Sequence, residues 1–117
     1  RKAKLADGTR PFQPYCPPSL VERVVDRTTR RLEHLLQHIG HATRKAATRL
    51  RAGLLRMLAG CTHREIGMRL KRHSATICRD LQDHAHLVAT DRGYERVVAA
   101  MADAVLSRIR RPALSPR

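Results

Sequence analysis

Apolar residues recur along most of the chain at the three- and four-residue spacing of helices, and no stretch alternates like a strand. The first stripe runs from Ser19, which we expect to cap the helix in a capping box with Glu22, to Gly40, a natural stop. The weak helix formers from Asp26 to Thr29 leave a break near that point open. The positions expected to face the core are Leu20, Val24, Leu32, Leu35, Leu36 and Ile39.

Two longer helices are predicted on either side of the middle of the chain. One follows a short basic connector, residues 41–45, and ends at Gly60, with its apolar face at Ala46, Ala47, Leu50, Leu54, Met57 and Leu58. The last helix opens at Thr90 or Asp91 and should stop at Pro112, because proline breaks helices. Its apolar stripe is expected to close the domain, with dimerisation or docking on another protein such as RNA polymerase as alternatives. That stripe consists of Tyr94, Val97, Val98, Met101, Val105 and Ile109.

The segment from Thr62 to His86 has the pattern of a helix-turn-helix. Thr62 and Glu65 form a capping box for its first helix, which points Ile66 and Leu70 inward. Gly67 supplies the small residue that is needed where the second helix crosses the first. Ser74 is expected to cap the second helix, which buries Ile77, Leu81 and either Leu87 or Val88.

Lys71 occupies the turn position, four residues after the small one, where a helix-turn-helix usually has glycine. This departure is compatible with the fold but weakens the match. The sequence therefore predicts an all-α domain of about five helices over residues 19–111, preceded by a basic, proline-rich arm (1–18) and followed by a short basic tail (112–117). The arm is interpreted either as a segment that follows a phosphate backbone or as a linker.

The charge of the chain points to a polyanionic partner. There are 24 Lys and Arg residues against 10 Asp and Glu, a formal net charge of +14, and the planar guanidinium of arginine suits phosphates and guanine edges. Aromatic residues make up only 3% of the chain, too few for the stacking platforms that hold single strands. Double-stranded DNA is therefore the favoured partner, and the alternative is a basic surface that is merely solvated.

The helix-turn-helix assigns candidate contacts to named residues. The recognition helix, Ser74 to His86, would enter the major groove and present base-reading side chains from its N-terminal part. These candidates are Arg72, His73, Ser74, Ala75, Thr76 and Arg79. The candidates for backbone phosphates or a minor groove are Arg44, Lys45, Arg49, Thr62, His63, Arg64 and Lys71.

Several of these features occur together in one known family. They are Leu35-Leu36, the basic stretch at 41–45, the helix from Ala46 to Gly60, Thr62 followed by Glu65-Ile66-Gly67, and a final helix over Tyr94 to Leu106. From about Leu20 to Leu106 the chain thus resembles the C-terminal DNA-binding domain of DnaA, the bacterial chromosomal replication initiator. The resemblance implies that domain's fold and binding in the major groove.

The resemblance does not imply recognition of the replication-origin box. The Asp-His-Thr-Thr base-reading group of the family becomes His73-Ser74-Ala75-Thr76 here, in a segment one residue shorter. The minor-groove arginine of the family falls on Gly40, although Arg44 is close. The string Ser-x-Thr-Ile-x-Arg also resembles the helix-turn-helix of transposases and small regulators, and the sequence contains no GxxxxGK[ST] loop for a nucleotide.

Other chemistry is weakly indicated. His34, His38 and His41 share one helical face, but no cysteine or carboxylate pair completes a metal site, so we expect neither metal nor cofactor. No nucleophile–base pair stands out, and we do not expect an enzyme. Three scattered cysteines favour a reducing compartment, and with no apolar run of membrane length we expect a cytoplasmic, nucleoid-associated protein without a membrane partner.

The sequence therefore favours a sequence-specific transcription regulator that binds duplex DNA. One alternative is the DNA-binding domain of a replication initiator or of a transposase or other mobile-element protein. The second is a non-specific, nucleoid-type DNA coater. Oligomeric state and target site are left open.

Overall fold

The computed structural model describes residues 15–40 and 44–114 and contains only helices in those ranges. The six helices are α1 (Pro18–Arg27), α2 (Thr29–His38), α3 (Arg44–Ala59), α4 (His63–Leu70), α5 (Ser74–Thr90) and α6 (Arg92–Leu114). The predicted all-α fold class is confirmed. No helix within the described ranges combines the length and apolar character that a bilayer crossing needs.

The first predicted stripe forms two helices, with the break at Thr28, where φ is −109° and ψ is 17°. The Thr28 hydroxyl donates to the Val24 carbonyl at 2.8 Å, and the Thr29 hydroxyl donates to the Val25 carbonyl at 2.9 Å. These side chains therefore occupy carbonyl oxygens at the end of α1. The expected capping box at Ser19 is wrong. Pro17 occupies the N-cap without a side-chain cap, and Pro18 opens the helix because its fixed φ suits the first turn.

α3 is the central helix of the domain, and it packs against all five of the others. Leu50, Leu54 and Leu55 are completely buried, as expected of a helix that is surrounded by neighbours. Met57 is the exception, because 40% of its surface is exposed where the sequence pattern placed it in the core. The helix stops before Gly60, whose φ of +64° is the left-handed conformation that glycine adopts without strain.

α6 closes the domain by packing on α1, α2, α3 and α5. Its entry is fixed by Asp91, whose Oδ1 accepts the Tyr94 backbone N–H at 3.0 Å, as an N-cap carboxylate does. The predicted apolar stripe is buried from Tyr94 to Val105, and Ile109 is partly buried. The predicted stop at Pro112 is wrong, because the helix continues through it to Leu114. Pro112 removes one backbone N–H donor only two residues before the helix ends.

The N-terminal boundary of the domain lies earlier than the sequence pattern indicated. Cys16 is only 7% exposed, and the Tyr15 backbone N–H donates to the Leu58 carbonyl at 2.8 Å. These contacts attach the last residues of the predicted arm to the end of α3. The rest of that arm, residues 1–14, lies outside the described residues, as do residues 41–43 of the basic connector and residues 115–117 of the tail.

Candidate nucleic-acid interface

The first helix of the predicted helix-turn-helix, α4, begins with the capping box read from the sequence. The Thr62 hydroxyl accepts the Glu65 backbone N–H at 3.1 Å, and the Glu65 carboxylate accepts the Thr62 N–H at 2.8 Å. Two of the backbone donors at this end are therefore already satisfied within the protein. Thr62 is 9% exposed, so its side chain serves to start the helix. The side chain of Arg64, two residues later, is exposed to solvent.

The turn between α4 and α5 is very tight. Lys71 has φ 57° and ψ 48°, a left-handed conformation that costs a residue with a Cβ about 1–2 kcal/mol. This is the position where the pattern expected glycine, so the sequence departure appears in the structure as local strain. The Arg72 N–H donates to the Gly67 carbonyl at 2.9 Å and closes the turn.

Gly67 lies where the chain of the second helix passes over the first. A Cβ built on Gly67 would be 2.6 Å from the Arg72 carbonyl oxygen and 3.7 Å from the Ser74 nitrogen. Only glycine fits this contact without a backbone shift. Ile66 and Ile77 are completely buried beside the crossing, as the spacing predicted, whereas Leu70 is only partly buried.

The N-cap of α5 lies one residue earlier than predicted. His73 is the N-cap, and its Nδ1 accepts the Ala75 N–H at 3.1 Å; the expectation that Ser74 caps the helix is wrong. Ser74 instead occupies the first helical position, where its hydroxyl does not receive the cap bond. The His73 side chain is exposed at the start of α5.

The groove at the turn is lined by basic and neutral residues only. The lining residues are Arg64, Gly67, Met68, Lys71, Arg72, His73 and Ser74. Beyond it, Ala75 and Arg79 are exposed on the first turns of α5, and Thr76 is half-buried. The structure thus brings all six predicted base-reading residues to one end of α5, next to Arg64 and Lys71. Met68, which is 75% exposed there, was not singled out by the sequence pattern.

Arg72 forms an ion pair with a carboxylate inside the domain. Its Nε lies 3.4 Å from Oδ2 of Asp80, a residue on α5 that is only 4% exposed. The sequence gave no signal for this pair, since its members are eight positions apart and meet only after the turn has formed. A buried carboxylate is unusual unless it is paired, and the pair makes Asp80 part of the candidate interface.

The basic residues of α3 lie elsewhere. Lys45 is exposed, and the side chain of Arg44 lies outside the described residues. Arg49 is half-buried, and its charge acts on His84, a residue roughly 15 Å further along α5 than Ser74. Arg49 and Lys45 are therefore not part of the groove at the turn.

His84 of α5 and Tyr94 of α6 form a buried pair. Their Nδ1 and hydroxyl oxygen are 2.7 Å apart, and the rings meet edge to face. Burial, with the Arg49 charge adding to it, lowers the pKa of His84 to about 4, and burial raises the pKa of Tyr94 to about 12. A Cβ on Gly53 would be 2.3 Å from the His84 ring, so glycine is needed on α3 at this contact. Both side chains are neutral near pH 7 and act in packing.

The remaining candidate groups form no reactive or ligating cluster in the described part of the chain. His34 and His38 are exposed, His41 lies outside the described residues, and no group of three or more potential metal ligands occurs in residues 15–40 and 44–114. Cys16 and Cys61 are buried, and burial raises the pKa of the Cys16 thiol. Cys78 is half-buried.

Comparison with known proteins finds no relative of this chain. The chain matches no protein-family model, no curated protein and no solved structure. The candidate interface is therefore supported by its own geometry and charge alone.

Proposed function

We propose that the chain is a sequence-specific, duplex-DNA-binding module in which α5 enters the major groove, and that it serves as a transcription regulator. The main support for the proposal is the close backbone contact at Gly67, which sets the eight-residue helix α4 against the start of α5. The left-handed residue Lys71 that ends α4 is a common helix cap, so the Gly67 contact is the more specific of the two features. A small residue at this contact is what a helix-turn-helix requires, because its second helix starts directly over the first.

Charge supports the same partner. The groove at the turn is lined by Arg64, Lys71 and Arg72 and by no carboxylate, and the charge of Arg72 is balanced by buried Asp80 behind it. Exposed Arg79 lies about one turn after Thr76 on α5. Phosphates neutralise such a set and release counterions, so affinity should fall steeply with salt. Six to ten phosphate contacts would give a slope of about −5 to −9 in a plot of log affinity against log salt concentration.

The chemistry at the start of α5 suits base edges. Ser74 and Thr76 carry hydroxyls that donate or accept, Ala75 offers a methyl to thymine, and Arg79 matches guanine. Of the two tyrosines in the described part of the chain, Tyr94 is completely buried and Tyr15 alone is exposed, which is too few rings for a stacking platform and favours a duplex over a single strand. The proposed fold of this module is that of the DnaA DNA-binding domain, with a different base-reading group.

Binding-site selection from a random duplex library tests the proposal. We expect the chain to enrich a consensus, and fluorescence anisotropy should then give an affinity for the selected duplex at least a hundredfold above that for a scrambled one. Arg79→Gln should lower the affinity and change the consensus. Arg30→Gln is the matched control, because Arg30 is an equally exposed arginine on α2, which makes no contact with α4 or α5.

The outcomes separate the rival functions. A chain that binds every duplex equally and enriches nothing is a nucleoid-type coater. A consensus that maps to replication origins or to the ends of mobile elements favours the DNA-binding domain of an initiator or a transposase. Failure to bind any duplex at low salt, or equal effects of the two arginine substitutions, contradicts the docking of α5.

A further inference from the structure

The strongest additional feature is the buried ion pair inside the helix-turn-helix. Asp80 lies on the inner side of α5, three residues after Ile77, and both are almost completely buried. The Oδ2 atom of Asp80 and the Nε atom of Arg72 have negligible exposure and no hydrogen-bond partner among the described residues. They lie 3.4 Å apart, so each is the charged partner of the other.

A carboxylate in this position needs a cation, because removal from water disfavours its charge. Arg72 meets that need by placing Nε, at one edge of its planar guanidinium, 3.4 Å from the carboxylate in an ion pair without a hydrogen bond. The guanidinium carries four further N–H donors on its two terminal nitrogens. The Arg72 side chain is 32% exposed and lines the groove with Lys71 and His73. The edge that carries Nε therefore lies against buried Asp80, while the side chain still reaches the proposed DNA-facing groove.

We propose that Asp80 is a positioning residue, which holds Arg72 in one orientation so that its terminal nitrogens read a guanine edge. This inference rests on the proposed function. A free arginine side chain loses much rotational freedom when it makes a two-point contact, and anchoring removes part of that loss in advance. An anchored arginine favours the base whose acceptors match its geometry, and guanine presents O6 and N7 for that purpose.

Loss of the Asp80 charge should reduce specificity without weakening the binding of unrelated duplexes. In Asp80→Asn the shape of the side chain is kept but its charge is lost, so Arg72 is released as a mobile cation. Binding to scrambled duplex should stay equal or tighten slightly, because one negative charge has been removed. The ratio of selected to scrambled affinity should fall about tenfold, with the preference for guanine lost at one position of the consensus.

Asp83→Asn is the matched control. Asp83 is one turn further along α5 and exposed, so its substitution makes the same change in charge without touching Arg72. We expect it to leave the affinity ratio and the consensus unchanged. Arg72→Lys keeps the positive charge but loses the guanidinium fork, and it should lose the same guanine preference. The double variant Asp80→Asn with Arg72→Lys should lose no more than either single variant.

The experiment is binding-site selection followed by anisotropy on the full chain, with circular dichroism to verify that each variant is folded. An unchanged ratio and an unchanged guanine preference in Asp80→Asn would overturn the proposal, as would an equal loss in Asp83→Asn. If Asp80→Asn does not fold, Arg72→Lys decides, because retention of the guanine preference in that variant also refutes guanidinium readout. Failure of the wild-type chain to bind DNA refutes the proposed function itself, which is a distinguishable result.

Discussion

Replacing Gly67 by alanine tests the crossing of α4 and α5 most directly, because two physical effects predict opposite signs. Alanine is favoured over glycine in a helix interior by about 1 kcal/mol, so an unhindered site gains stability from this change. The structure opposes that gain, since the new Cβ would lie 2.6 Å from the Arg72 carbonyl oxygen. A backbone oxygen at the tight turn cannot rotate away as a side chain can.

The expected magnitude follows from these two terms. Overpacking at a close contact costs about 1–3 kcal/mol, and contact with backbone places this site at the upper end of that range. After the propensity gain is subtracted, Gly67→Ala should reduce the free energy of unfolding by about 2 kcal/mol. For a domain of this size that corresponds to a fall of about 10 °C in Tm.

Urea and thermal unfolding, followed by far-ultraviolet circular dichroism, measure this change. Gly93→Ala is the control, because its Cβ would be 3.0 Å from the Ile39 Cγ2, an atom of a partly buried side chain that can shift. That variant should remain within about 1 kcal/mol of the wild type. If Gly67→Ala is as stable as the wild-type chain or more stable, the two helices do not cross at Gly67 and the reasoning fails.

Lys71→Gly relieves the left-handed strain and should stabilise the domain by about 1 kcal/mol relative to Lys71→Ala, since both variants lose the same side-chain charge; equal urea midpoints would contradict this. Thr62→Ala removes the cap of α4 and should cost about 1 kcal/mol in urea unfolding, whereas no loss would mean that the capping box contributes nothing. His84 must be neutral in the fold, so the stability it contributes is complete above pH 6.5 and is lost as the pH falls towards its folded-state pKa of about 4, by about 3 kcal/mol in total. His84→Gln should flatten the dependence of unfolding free energy on pH across that window, and an unchanged slope would show that other groups set it.

The periodic pattern of apolar residues was sufficient to predict most of the helices. The capping box at Thr62 and the ends at Gly40 and Gly60 depend on local rules that act within a few residues, and each is present as predicted. The small residue at Gly67 and the inward Ile77 also follow from spacing alone. Errors occurred where two local signals competed, as at Ser19, where Pro18 determined the first turn, and at Ser74, where the imidazole of His73 took the cap bond.

The sequence by itself determined the all-α class, the positions of α4 and α5 with the turn between them, and the excess of positive charge, because these depend on composition and on spacing within single helices. The tertiary structure decided which charged groups meet. Asp80 is an ordinary polar residue in the sequence, and it becomes a buried carboxylate only because the turn at Lys71 returns Arg72 to its side. The close approach of the His84 ring to Gly53 and the burial of Arg49 were likewise decided by the tertiary structure. Such contacts depend on how the helices pack and not on the pattern within any one helix.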